Sequence, residues 1–244
     1  MKKIFTSIII CAFVPFLNAQ EVHYGFKLGG NISNLVGDYP SINDSELSAD
    51  HKSKLGIHLG MFFEHEINDR FSIQPELLLS TQGNKYEIIE SYFDDISNSN
   101  ERITNTQTTR LTYLNLPIML KYRLADKFFV EFGPQIGYLV SAKAEFEYED
   151  ANFPEDNESV TINLLQDGTV DFFGETATFK STINRLDFGL NLGGSYDITE
   201  KIFVQARYYY GLSRIDKSST NNLDFSSWNL KNSVFQLSVA YRLK

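Results

Sequence analysis

Four histidines and a run of carboxylates are the residues with most chemistry to offer in this chain of 244 residues. His23 and His58 sit where strand alternation turns them to a polar face, His65 falls on the opposite, apolar face, and His51 belongs to a long polar segment. No two are spaced as H-x-x-x-H beside an acid. Cys11, the only cysteine, lies in the apolar start of the chain, so no zinc-type ligand set forms. Ser80, His58 and Glu76 are of the types that nucleophilic hydrolysis uses. The G-x-S-x-G signature is absent, however, and a nucleophile acts only within hydrogen-bond reach of its base. No catalytic, cofactor-binding or metal residue is therefore assigned and no cofactor is expected; a lipid-modifying rim enzyme is the catalytic alternative.

The acids concentrate in one stretch. Glu145, Glu147, Glu149, Asp150, Glu155, Asp156, Glu158, Asp167, Asp171 and Glu175 occur with no Lys or Arg between them. A solvated acidic surface is the expected reading, with "VTINLLQDGTVDFFG" folding on itself as a hairpin. Divalent-cation binding is the alternative, because Ca²⁺ takes several carboxylate oxygens, although no EF-hand spacing is present. Trp228, with Phe225 and Leu223, is expected to anchor at a membrane surface or to meet a partner.

What must position these residues begins after a leader. Residues 1–20, "MKKIFTSIIICAFVPFLNAQ", join Lys2 and Lys3 to an apolar run and then Asn18 and Ala19, the layout of a secretory signal peptide. The mature chain, 21–244, is expected to be one domain without disulfides. It offers no run of ~20 apolar residues to span a bilayer as a helix. Losing the two lysines takes the charge from -9 to -11 and leaves no basic cluster for nucleic acid.

Period-two alternation recurs in eight segments, approximately 22–31, 54–67, 70–82, 110–124, 128–140, 185–198, 202–212 and 232–243. The turns "NDR", "ADK" and "TEK" are short, whereas 32–53, 83–109, 141–184 and 213–231 are long and polar. An even strand count, with short turns and both termini on one side, predicts an all-β, eight-stranded antiparallel up-and-down transmembrane β-barrel.

Aromatic residues decide which face meets lipid. Tyr24, Phe63, Phe71, Tyr122, Phe128, Tyr196 and Tyr241 stand near the short-turn end of the apolar face on seven segments, with Ile202 the exception. Rings at one level form an interfacial girdle, so the apolar face is expected outside. Lys27, His58, Glu64, Gln74, Glu76, Lys121, Arg123, Glu131, Gln135, Asp187, Asn191, Gln205, Arg207, Gln236 and Arg242 then face inward, interleaved with glycines such as Gly29, Gly189 and Gly193. Buried charges need partners, and Glu64, Glu76, Glu131 and Asp187 are the expected ones for Lys121 and Arg123. A soluble lipocalin-like carrier would reverse the faces. Pro75, Pro117 and Pro134 lie inside three successive segments, where a closed barrel has no free edge, so bulges or raised strand ends are expected.

The stretches "YGFKLGGNISNL", "IQPELLLSTQG", "YLNLPIMLKYRL", "FFVEFGPQIGYLVSAK", "LDFGLNLGGSYDI" and "QLSVAYRLK" resemble the PorT-like outer-membrane β-barrel family of Gram-negative bacteria over nearly the whole mature chain. The resemblance implies an eight-stranded barrel in the bacterial outer membrane and brings no secretion role with it. The chain ends "YRLK" where a terminal aromatic is usual, leaving Tyr241 as the aromatic of the insertion signal. The expected role is structural, adhesive or accessory to an envelope complex. Outer-membrane lipid and lipopolysaccharide are the expected surroundings, and a protein partner is expected at the long loops.

Overall fold

The computed structural model describes residues 22–38, 47–94, 99–172, 175–179, 181, 183–217 and 229–243. Residues 1–20, expected to be a signal peptide, and the Leu223, Phe225 and Trp228 group lie outside the described residues. The elements are β1 (Val22–Val36), β2 (Leu47–Glu66), β3 (Phe71–Asp94), β4 (Ser99–Ala125), β5 (Phe128–Asp150), a 3-10 turn (Pro154–Asp156), β6 (Glu158–Asn163), β7 (Gly168–Phe172), β8 (Glu175–Phe179), β9 (Leu186–Asp197), β10 (Ile202–Gly211) and β11 (Lys231–Arg242). Strands pair in the order β4-β3-β2-β1-β11-β10-β9-β5, and a β4–β5 pairing closes the ring. All the pairings are antiparallel, as the alternating segments predict.

The faces are assigned by burial. Leu28 is 67%, Leu59 54%, Leu116 46% and Leu237 54% exposed, whereas Lys27, Lys121 and Arg207 are at most 2% exposed. A water-soluble carrier would show the opposite, so the outward leucines meet lipid and the lipocalin-like alternative falls. The outward row of β1 from Val22 to Ile32 climbs about 25 Å at the usual rise and tilt, the height of a hydrocarbon belt. The girdle aromatics are opposed across the registers: Tyr24 faces Phe63, Phe71 faces Tyr122 and Phe128 faces Tyr196.

The short turns use local capping chemistry. Asn68 Oδ1 accepts from the amides of Arg70 and Phe71 at 2.9 and 3.0 Å, and Thr199 Oγ1 accepts from those of Lys201 and Ile202 at 3.2 and 2.9 Å. Such side-chain acceptors close tight turns without a glycine.

The prolines cause neither bulges nor raised strand ends. Pro75 pairs with Ile118, Pro117 with Gln135 and Pro134 with Leu190, so each stays within the ring. Pairing lapses beside each one, on β2 next to Pro75, on β3 next to Pro117 and on β4 next to Pro134, and resumes in the same register. A missing N–H therefore interrupts the ladder on one side without moving the strand. Register shifts occur elsewhere, between Ser53 and His58 of β2 and between Thr112 and Tyr113 where β4 meets β5. On β5 this puts Leu139 and Ala142 both inward, so the parity of the strand changes between them.

Above these shifts the chain departs from the expected loops. Residues 83–94 and 99–109 are strand, and β2 to β5 continue as a sheet beyond the lipid belt, with β6 added along β5. The hairpin expected within "VTINLLQDGTVDFFG" does not form. "VTIN" pairs back onto β5 in β6, while β7 pairs with β8. Among the described residues no helix is long and apolar enough to cross a membrane, and the strands do the crossing.

Candidate functional site

Two regions concentrate chemistry: the filled lumen and the sheet raised above it. At the short-turn end, Lys121 Nζ lies 2.6 Å from Glu64 Oε1, and Ser72 Oγ donates to the same oxygen at 3.0 Å. Arg242 Nη2 sits 3.4 Å from Glu64 Oε2 and 2.9 Å from Asp197 Oδ1. Phe62 and Phe203 meet edge to face at 5.3 Å, and the cations of Lys121 and Arg242 stand over the Phe203 ring at 5.0 and 4.6 Å.

One layer higher, Glu76 accepts from Lys27 Nζ at 2.5 Å, Arg207 Nη2 at 2.6 Å and Gln74 Nε2 at 2.6 Å. Glu131 accepts from Arg207 Nε at 2.9 Å and Gln205 Nε2 at 2.7 Å. Four cations (Lys27, Lys121, Arg207, Arg242) thus balance four carboxylates (Glu64, Glu76, Glu131, Asp197). Buried ions persist only when paired and hydrogen-bonded, and here they are. Arg207 needs space: a Cβ on Gly193 would meet its Cγ at 2.7 Å, and one on Gly189 would meet the Tyr209 ring at 2.6 Å.

Above the ions lies an uncharged layer. His58 Nδ1 is 2.7 Å from Asn31 Oδ1, and its Nε2 is 2.7 Å from Ser238 Oγ. Asn31 Nδ2 donates to Ser80 Oγ at 2.9 Å. Ser80, His58 and Glu76 do not assemble as a triad, since His58 contacts other groups and Glu76 is held by cations. Higher still, Asp187 accepts from Ser213 Oγ at 2.7 Å, Asn232 Nδ2 at 2.7 Å and Tyr209 Oη at 3.0 Å. Leu35, Leu111, Tyr113, Leu139, Ala142, Ile183 and Ile215 then close the outer mouth as an apolar plug. The segment after β10 folds inward to supply Ile215, tied by the Ile183–Asp216 bridge and by Asn184 Nδ2 donating to the carbonyl of Arg214 at 3.1 Å.

The inward residues read from the sequence are buried as expected, except Arg123. Arg123 is half-exposed at the rim, where it pairs with Glu66 at 3.5 Å and with none of the expected partners. Parity put it on the right face, but its depth puts it beyond the closed lumen. Asp187 is also corrected, because its partners are hydroxyls and an amide instead of Lys121 or Arg123. The plug residues were missed, since apolar side chains facing inward break the alternation rule that found the rest. Tyr209 was missed as well, although it lies two residues beyond Arg207 on the same face, and that spacing is the signal that finds it.

The raised sheet has two unlike faces. His51 stacks on Tyr86 at 4.5 Å, and the registers continue that row through Gln107 and Phe146 to Val160. The other face carries Lys52, Lys85 and Glu87, with Lys85 2.8 Å from Glu87 and Lys52 also bonded to it, and Arg110 2.6 Å from Glu145. Hydrogen bonds from Lys52 and Lys85 hold the Glu87 carboxyl below its ordinary value, and burial lowers the His51 imidazole. Glu145, Glu147 and Glu149 follow one another along β5 at about 7 Å, too far apart to share a cation. Among the described residues no group of three His, Cys, Asp or Glu could hold a metal.

Solved structures of similar fold include Ail, the attachment invasion locus protein of Yersinia pestis, solved with the heparin analogue sucrose octasulfate. It is 12% identical, with a TM-score of 0.37 over 91% of this chain and 99% of that one. Neisserial surface protein A is 10% identical, with a TM-score of 0.38 over 89% and 96%. The outer membrane protein OprG of Pseudomonas aeruginosa is 12% identical, with a TM-score of 0.33 over 91% and 94%. No curated protein matches the sequence. The profile of the outer membrane protein beta-barrel domain matches residues 18–217, so the chain belongs to that family and its place is the bacterial outer membrane.

Proposed function

We propose that this is a non-catalytic surface protein of the outer membrane, structural or adhesive in role, whose working part is the sheet raised above the barrel. The observation that carries this reading is the contrast between a lumen filled from rim to plug and strands that run on for many residues beyond the lipid belt. Long strands ordered outside the membrane are a rigid platform, and a filled lumen leaves transport little room. Outer-membrane lipid and lipopolysaccharide surround the outward leucines, and membership of the PorT-like branch belongs to the same proposal. So does removal of residues 1–20 on export, which N-terminal sequencing of the membrane-extracted protein tests.

The function is tested by excising 84–108 and joining the strands with Asn-Gly. Cells displaying the variant should keep a heat-modifiable barrel and lose adhesion to protein-coated surfaces or to neighbouring cells. Undiminished adhesion would sink the reading, as would a chemically modified lipid found by mass spectrometry in the presence of the intact protein.

A further inference from the structure

The raised sheet ends in an unusual edge. Leu164 N donates to Ala142 O at 3.0 Å, which fixes the parity of β6: its even-numbered residues turn their amides and carbonyls towards β5. Ser159 and Thr161 therefore point their backbone donors and acceptors away from the sheet, and both side chains are exposed. Beside them, in register, stand Glu147 opposite Ser159 and Glu145 opposite Thr161. Glu145 is engaged by Arg110, whereas Glu147 and Glu149 form no ion pair among the described residues. On the reverse side, Val160 and Ile162 continue the apolar row of Phe146 and Ala144.

From this arrangement we infer that β6 is a docking edge for an extended, basic segment of another protein, which adds to the sheet as a further strand. Its alternate Lys or Arg side chains pass over the short Ser159 and Thr161 to the acids of β5, about 10 Å away, two strand spacings. Its intervening apolar side chains extend the Val160 and Ile162 row. Main-chain pairing supplies affinity and the two unlike faces supply register, since a one-residue slip would bring the cations onto the apolar side. The inference rests on the proposed role of the raised sheet and adds the chemistry of the partner.

The test uses the full-length protein in phosphatidylcholine nanodiscs, whose zwitterionic lipid does not attract cations. The probe is a fluorescent peptide of about ten residues alternating Lys and Val, and the control is a peptide of the same composition with all Lys preceding all Val. Anisotropy should rise with the alternating peptide and not with the block peptide. Thr161→Pro removes an outward N–H without touching the β5 ladder and should weaken binding about tenfold or more, because strand addition depends on main-chain pairing. Glu147→Gln should weaken it less and flatten its salt dependence. Both variants should keep the heat-modifiable barrel. Equal binding of the block peptide, or no effect of Thr161→Pro, would show an edge that its acids merely guard against aggregation. If the 84–108 excision abolishes adhesion while the alternating peptide fails to bind, this inference alone falls. If adhesion survives the excision, the role of the sheet falls first.

Discussion

Arg207 and Asp187 are both fully enclosed and differ in what their removal leaves behind. Arg207 holds Glu76 and Glu131 together, so Arg207→Met leaves Glu76 with Lys27 alone and leaves Glu131 buried without an ion pair. Removing one member of a buried pair typically costs about 3–5 kcal/mol, and the urea midpoint of refolded protein in detergent should drop accordingly. Asp187 is bonded by neutral donors, so Asp187→Asn orphans no charge. It should cost about 1–2 kcal/mol, the price of a mismatched hydrogen bond. If the two variants unfolded at the same urea concentration, the distinction between them would fail. Inward parity was readable for both from the sequence. Pairing was not, because which cation meets which acid depends on barrel stagger, and a strand read alone carries no information about its neighbour's offset. Arg123 shows the same limit, being on the luminal face but level with the rim.

At the scale of elements, the register shifts at Ser53/His58 and Thr112/Tyr113 divide barrel from raised sheet, with Gly83 on the strand between them at φ +144°. That backbone conformation admits only glycine comfortably. Ser33 Oγ accepts from the Gly83 amide at 2.9 Å, tying the bend to β1. Gly83→Val should expose the β3–β4 extension to trypsin while the barrel still resists boiling-free SDS. Acid should loosen the same region. Glu87 is held ionised by Lys52 and Lys85, and this stability is present above the ordinary carboxylate value of 4.5 and lost as pH falls below it. His51, packed on Tyr86, favours its neutral form, so its contribution is lost as pH falls below the ordinary imidazole value of 6.5. Proteolysis of the raised sheet should therefore rise in two steps on acidification, and a flat profile would refute both assignments. These extensions were hidden in the sequence for a physical reason. A sheet in water needs no lipid-facing row, so "NTQTT" looks like a loop although it is strand, and "VTIN" did not reveal that its partner lay behind it on β5.

For the whole molecule, the ring, its girdle and its short turns were legible because lipid imposes one apolar side chain in every two over the full height of each strand. The plug was not legible, because inward apolar residues near the outer mouth resemble ordinary loop residues. In planar bilayers the intact protein should show no stable conductance. Ile215→Asp together with Leu139→Asp should still give none, because the ion-pair layers below the plug remain filled. Steady channel openings in the intact protein would contradict the layered lumen. A barrel closed at two independent levels has a cellular consequence. Porins burden a cell with leak in proportion to their number, and a lumen filled in this way should add none. The protein's abundance should then be limited only by membrane area and assembly capacity, and a cell tiling its surface with raised sheets should gain no permeability to small solutes.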